Sequence, residues 1–188
     1  MNTFEIIILA LALVCNSWIT FLNAGILLSH EPLSRKANYA GIMFVLQFLM
    51  AGAGIWIGYK VGSTEVQVNM LISLSILLFA GLKVLLSGIL VPNPDRVFNF
   101  ENNIVILFAA LAEGIFPLVI GLAIGLLTGQ PFLHWLVVGA FLLAGILAGL
   151  FRVFQRGAGF LFKVEAIGGL LFLAAAIKLA LNLTRFWM

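Results

Sequence analysis

Charged side chains are what this chain has least of: Lys, Arg, Asp and Glu make up 9% of 188 residues, against the roughly 25% carried by a soluble domain. That shortage excludes a water-facing globular surface. Cysteine occurs once, as Cys15 inside an apolar run, so no intrachain disulfide can form. The two histidines, His30 and His134, stand at loop edges without a partner at ligand spacing, which excludes a histidine zinc site and a His-based triad. No Gly-Lys-Ser/Thr phosphate loop is present, so the chain holds no ATP-driven motor. The ten basic and seven acidic residues, net +3, are scattered singly, so no basic patch exists for nucleic acid. Neither enzymatic chemistry nor a resident cofactor is expected.

What is present is apolar, at 63% of the chain. Runs of the ~20 residues needed to cross ~30 Å of hydrocarbon recur along the whole length, which predicts an all-α, polytopic membrane protein of about six helices. The expected spans are Thr3 to Leu28, Tyr39 to Tyr59, Asn69 to Val91, Ile104 to Leu127, His134 to Phe151 and Val164 to Leu183. Turn or polar residues fill every break: Ser29-His30-Glu31-Pro32, Lys60 to Glu65, Pro92-Asn93-Pro94-Asp95-Arg96, Thr128-Gly129-Gln130-Pro131 and Gln155-Arg156-Gly157. Met1 to Val14 lacks the basic start of a signal peptide, and Val14 replaces the small residue of a lipoprotein cleavage site, so the segment reads as the first helix. Residues 1–188 form one transmembrane domain.

Basic residues set the orientation. Arg35, Lys36, Arg96, Arg152, Arg156 and Lys163 fall on one side, with little beyond Lys60 and Arg185 on the other, so the first side is cytoplasmic and both termini face out. Trp56, Trp135 and Trp187 suit the outer interface.

The two halves, 1–91 and 104–188 around a cytoplasmic linker 92–103, look alike. Leu78 to Leu85 and Leu173 to Ala180 each carry one lysine late in an apolar helix, Lys83 and Lys178, and Gly54 and Gly58 correspond to Gly145 and Gly149. Three helices per half is an odd number, which predicts inverted repeats, a transporter design with its site near the midplane. Small-residue spacing also arises from helix packing alone.

Charges inside the bilayer cost ~2.5 to 3.5 kcal/mol on insertion scales. Lys83 and Glu113 are expected at matching depth, about 12 to 14 Å from the cytoplasmic end at 1.5 Å per residue, as an ion-pathway element or as a buried pair that fixes helix register. Pro117, four residues after Glu113, has no amide proton for the Glu113 carbonyl. A carboxylate beside a released carbonyl suits a hard or borderline cation such as Mg or Mn, while a plain kink is the alternative. Asn16, Thr20 and Asn23 form one polar stripe on the first helix, and Gln47 sits near the middle of the second; they line a pathway or bond across helices.

Phe44 to Met50 with Gly54 and Gly58, then Gly81-Leu82-Lys83-Val84-Leu85, then Glu165-Ala166-Ile167-Gly168-Gly169-Leu170 with Lys178, resemble the MntP-type manganese efflux pumps of the LysE transporter superfamily. The likeness covers nearly the whole length. It implies six helices with external termini in the bacterial inner (plasma) membrane, a bilayer as partner and a small cation as cargo. The family's helix-one aspartate, a metal ligand, falls here on Asn16, which marks a divergent member. Its helix-four aspartate falls on Gly114 or, with a one-residue shift, on Glu113. Ser87 stands where the family has an acid, and Ala51 where it has a proline.

The resemblance implies a secondary transporter that exports manganese or a similar cation, with Asn16 and Glu113 as metal ligands and Thr20, Asn23, Gln47, Lys83, Pro117 and Lys178 along the pathway. The alternatives are a transporter of another cation or small solute, and a non-transporting membrane subunit that keeps the fold.

Overall fold

A computed structural model describes residues 2–62, 64–90, 103–151 and 158–185. Among them the chain forms six helices: α1 (Thr3–Leu27), α2 (Leu33–Val61), α3 (Val66–Leu90), α4 (Asn103–Leu127), α5 (Pro131–Leu150) and α6 (Ala158–Arg185). All six are long and apolar enough to cross a bilayer, as the hydropathy pattern predicts. The third and fifth connections with Arg96, Arg152 and Arg156, together with Trp187, lie outside the described residues.

Helix ends differ from the expected spans for a common reason. Apolarity locates the hydrocarbon, whereas backbone hydrogen bonding continues until a breaker intervenes. Thus α2 starts six residues before Tyr39, directly after Pro32, which has no amide proton to bond back to a preceding helical turn. Arg35 pairs with Glu31 at 3.0 Å there, and the Lys36 ammonium donates to the Ser29 carbonyl at 3.1 Å. α5 starts on Pro131 at its first turn, where the missing amide proton costs nothing. His134, buried in that turn, is bonded through Nδ1 to Thr128 Oγ1; it is a structural tie between α4 and α5.

Glycine sets the helix pairing. A Cβ at Gly54 or Gly58 of α2 would strike the Leu118 or Leu122 carbonyl of α4, and one at Gly121 or Gly125 would strike the Ala51 or Ile55 carbonyl. Only glycine lets these two parallel backbones approach so closely. Gly145 and Gly149 of α5 do the same service against Val14 and Phe21 of α1. The α3–α6 crossing is reciprocal: Gly81 receives Leu173, and Gly169 receives Leu85. In all, α1 packs on α4, α5 and α6, α2 on α4 and α5, and α3 on α4 and α6.

The apolar interior is divided. One cluster holds Leu9, Leu13, Ala51, Ile55, Leu77, Val84, Ile120, Leu142 and Phe172, and the other holds Phe21, Tyr39, Met43, Ile106 and Ile146. On α1, α2 and α4 the gap between the clusters contains Asn16 to Thr20, Gln47 and Glu113 respectively. The midpoints of those helices are Cys15, Gln47 and Ile115. A polar layer therefore crosses the bundle at half height.

A candidate cation site between α1, α3, α4 and α6

Glu113 is the hub of the layer. Its Oε1 accepts the Thr20 hydroxyl at 2.8 Å, and its Oε2 accepts the Ser17 hydroxyl at 3.3 Å. Both donors are buried on α1. The two hydroxyls hold the carboxylate from the α1 side, away from bulk water. Tyr39 of α2, fully buried, lies within electrostatic reach of the same carboxylate.

A second carboxylate faces the same space. Glu165 of α6 is 9% exposed and accepts the Ser87 hydroxyl of α3 at 2.9 Å. The helices are drawn together by Gly168, which packs on Cys15 and the Ala12 carbonyl of α1, and by Gly169, which packs on Leu85. Between them lies a cavity of about 290 Å³ lined by Asn16, Lys83, Ser87, Glu113, Phe116 and Glu165, closed by Val84, Ala109 and Ala112. Two carboxylates, an amide oxygen and a hydroxyl make an all-oxygen donor set from four helices, the chemistry of hard and borderline cations.

The expected residues are distributed as follows. Asn16 and Glu113 share the cavity, and Thr20 supports Glu113 from behind. Asn23 is half-buried, two turns nearer the α1 C-terminus than Asn16. Gln47 is fully buried, and neither atom of its amide has a hydrogen-bond partner. Pro117 is buried inside an α4 that runs on through it. Lys83 lines the cavity, but its ammonium rests 5.0 Å from the centroid of the Phe116 ring and is not in an ion pair with Glu113. Lys178 stands apart from this cavity, at the opposite end of the bundle, where it pairs with Glu5.

That end holds a separate cavity of about 490 Å³, lined among others by Asn2, Glu5, Asn69, Thr128 and Asn182. Along α3, Leu77 borders this second cavity, on the side of the α1 N-terminus, and Val84 borders the polar one. Leu77, Ala80, Val84, Phe172 and Ala176, all buried and apolar, form the septum between them.

Comparison with known families decides the class. The family described as "Putative manganese efflux pump" matches residues 31–180. The chain belongs to that family. It is therefore a multi-pass membrane protein of a manganese efflux family, and the match spans α2 to α5 entirely and most of α6. No curated protein and no solved structure matches the chain.

Sequence reasoning did not single out Ser17, Ser87 or Glu165 as site residues. Glu165 falls one residue inside the hydropathic edge of the sixth span, so it reads as interfacial. Because α6 begins at Ala158, Glu165 is seven residues into the helix, about 10 Å along its axis. A helix start signal near Gly157 is the clue that could have moved it inward.

Proposed function

We propose that this chain is a secondary transporter that exports a small divalent cation of the manganese type. One observation carries the proposal: Glu113 and Glu165, from different helices, face one mid-membrane cavity together with Asn16 and Ser87. Buried carboxylates in a bilayer are costly and mark ion pathways. Among the described residues no group of three or more His, Cys, Asp or Glu side chains surrounds a metal position. A donor set of two carboxylates and neutral oxygens suits a cargo that must leave as readily as it enters.

The proposed cycle is alternating access between two inverted halves. Its support is the pairing pattern: exchanging α1 with α4, α2 with α5 and α3 with α6 turns the set of packed helix pairs into itself. The reciprocal seats of Leu173 on Gly81 and Leu85 on Gly169 fit the same exchange. They relate α3 to α6 through Gly81 and Gly169, a register two turns away from the one that equates Lys83 with Lys178. In the cycle the ion enters the polar cavity from the side of Arg35, Lys36 and Lys163, passes the septum from Leu77 to Val84, and leaves through the second cavity. Both termini then face out of the inner membrane. Asn16 and Glu113 ligate the ion with Glu165, and Thr20 steadies Glu113. No catalytic step or resident cofactor is involved.

The test is manganese content. Expressed in cells lacking their own exporter and challenged with manganese, the parent should lower intracellular manganese and restore growth. A parent that inserts normally yet changes neither would reject the reading in favour of another solute or of a subunit without transport activity.

A further inference from the structure

Lys83 belongs to two cavities at once. One is the polar cavity with Glu113 and Glu165; the other is a lipid-facing groove of about 520 Å³ between α3 and α4, lined by Phe79, Ile115, Phe116 and Val119. Phe116 likewise borders both. In this conformer the Lys83 ammonium sits by the Phe116 ring, 5.0 Å from its centroid, on an exposed flank of α3. A charge on a lipid-facing flank is poorly solvated, and a ring face compensates only in part. Glu113 lies three residues before Phe116 on α4, on the neighbouring part of the same helix face. A change of rotamer is enough to carry a flexible lysine from the ring toward that carboxylate.

We infer that Lys83 is a tethered counter-cation for the polar cavity, occupying it between transport events and withdrawing to Phe116 when a divalent ion enters; this rests on the proposed cation export. Charge counting gives the reason. The two carboxylates carry two negative charges, so a divalent ion balances them alone and makes the ammonium surplus. A monovalent ion balances them together with the ammonium and need not expel it. Displacement of Lys83 is thus a response to divalent ions. When the ion has left, the returning ammonium neutralises part of the cavity, so the empty carrier resets without two bare carboxylates in the membrane. Lys83 is a specificity-determining residue that acts by occupying the site.

Self-occupation weakens apparent affinity by the fraction of time the site is filled by the ammonium. The purified protein, titrated with Mn²⁺ by calorimetry and assayed for Mn²⁺ flux in proteoliposomes, tests this. Lys83→Met should bind Mn²⁺ about ten-fold more tightly than the parent while its turnover falls by about as much. Lys83→Arg, which keeps the charge, should stay near the parent in both. Phe116→Leu removes the resting place, keeps the ammonium in the cavity and should weaken Mn²⁺ binding, a shift opposite in sign to that of Lys83→Met. A lysine that only clips α3 to α4 through the ring would lower thermal stability in both variants without opposite shifts in affinity, and that result overturns the inference. So does Lys83→Met binding equal to or weaker than that of the parent. If parent and Lys83→Met both fail to bind Mn²⁺, the export reading falls and takes this inference with it; if the parent binds and Lys83→Met is identical, only the inference falls.

Discussion

The Thr20 hydroxyl donates to the Glu113 carboxylate at 2.8 Å, joining α1 to α4 at the centre of the bundle. A hydrogen bond to an ionised acceptor contributes about 1.5 to 3 kcal/mol, most of it lost when the donor is removed from a buried site. Thr20→Val, which conserves shape, is expected to lower stability by that order and to impair manganese export. Thr20→Ser keeps the hydroxyl and should remain close to the parent. Thermal unfolding in detergent, read beside export, checks both.

Glu113→Gln and Glu165→Gln should each reach the membrane at parental levels, since a neutral amide is less costly to bury than a carboxylate. Each should fail to lower intracellular manganese under metal stress. Because both oxygens serve one ion, the double variant should be no worse than either single one. If Glu113→Gln exports as well as the parent, its carboxylate is not an ion ligand and the site assignment is wrong.

Gln47 presents an amide with both polar atoms buried and without partners. Each such group costs about 1 to 3 kcal/mol relative to a satisfied one. Gln47→Leu, apolar and of similar volume, should therefore raise the unfolding temperature. If the amide serves the ion in another conformer, export will drop in the same variant. A stability gain with unchanged export would remove Gln47 from the pathway.

The α2–α4 contact should tolerate no side chain at its glycines. A methyl at Gly125 meets the Ile55 carbonyl backbone, which cannot yield without moving α2. Overpacking of this kind costs typically 1 to 3 kcal/mol, so Gly125→Ala should sharply reduce the yield of folded, monodisperse protein. Gly41→Ala is the control: nothing lies within 4 Å of that position, and the substitution should be neutral or mildly stabilising through helix propensity.

Topology can be read with an impermeant thiol reagent in a Cys15→Ser background. A cysteine at Thr64, in the α2–α3 connection, should label in intact cells. One at Ser34, beside Arg35 and Lys36, should label only after the membrane is opened. The reverse pattern would place the basic side outside and invert the direction proposed for transport.

The number of helices was decided by the sequence alone, because hydrocarbon thickness sets a length that six apolar runs satisfy and the polar breaks between them are unambiguous. Glu113 was equally legible as a candidate, since an isolated acid in the middle of an apolar run needs a reason. Partners were another matter. Depth matching pointed Lys83 at Glu113, but depth along a helix says nothing about the angle at which a side chain leaves it. Only the packing of α4 against α1 turned Glu113 toward Thr20 and Ser17 and left Lys83 beside Phe116. Glu165 joined the site for the same reason: Gly168 and Gly169 let α6 close on α1 and α3, bringing together residues 78 positions apart in Ser87 and Glu165. Hydropathy is a local property and was readable residue by residue; a cavity shared by four helices is a property of their contacts, which the tertiary structure alone specifies.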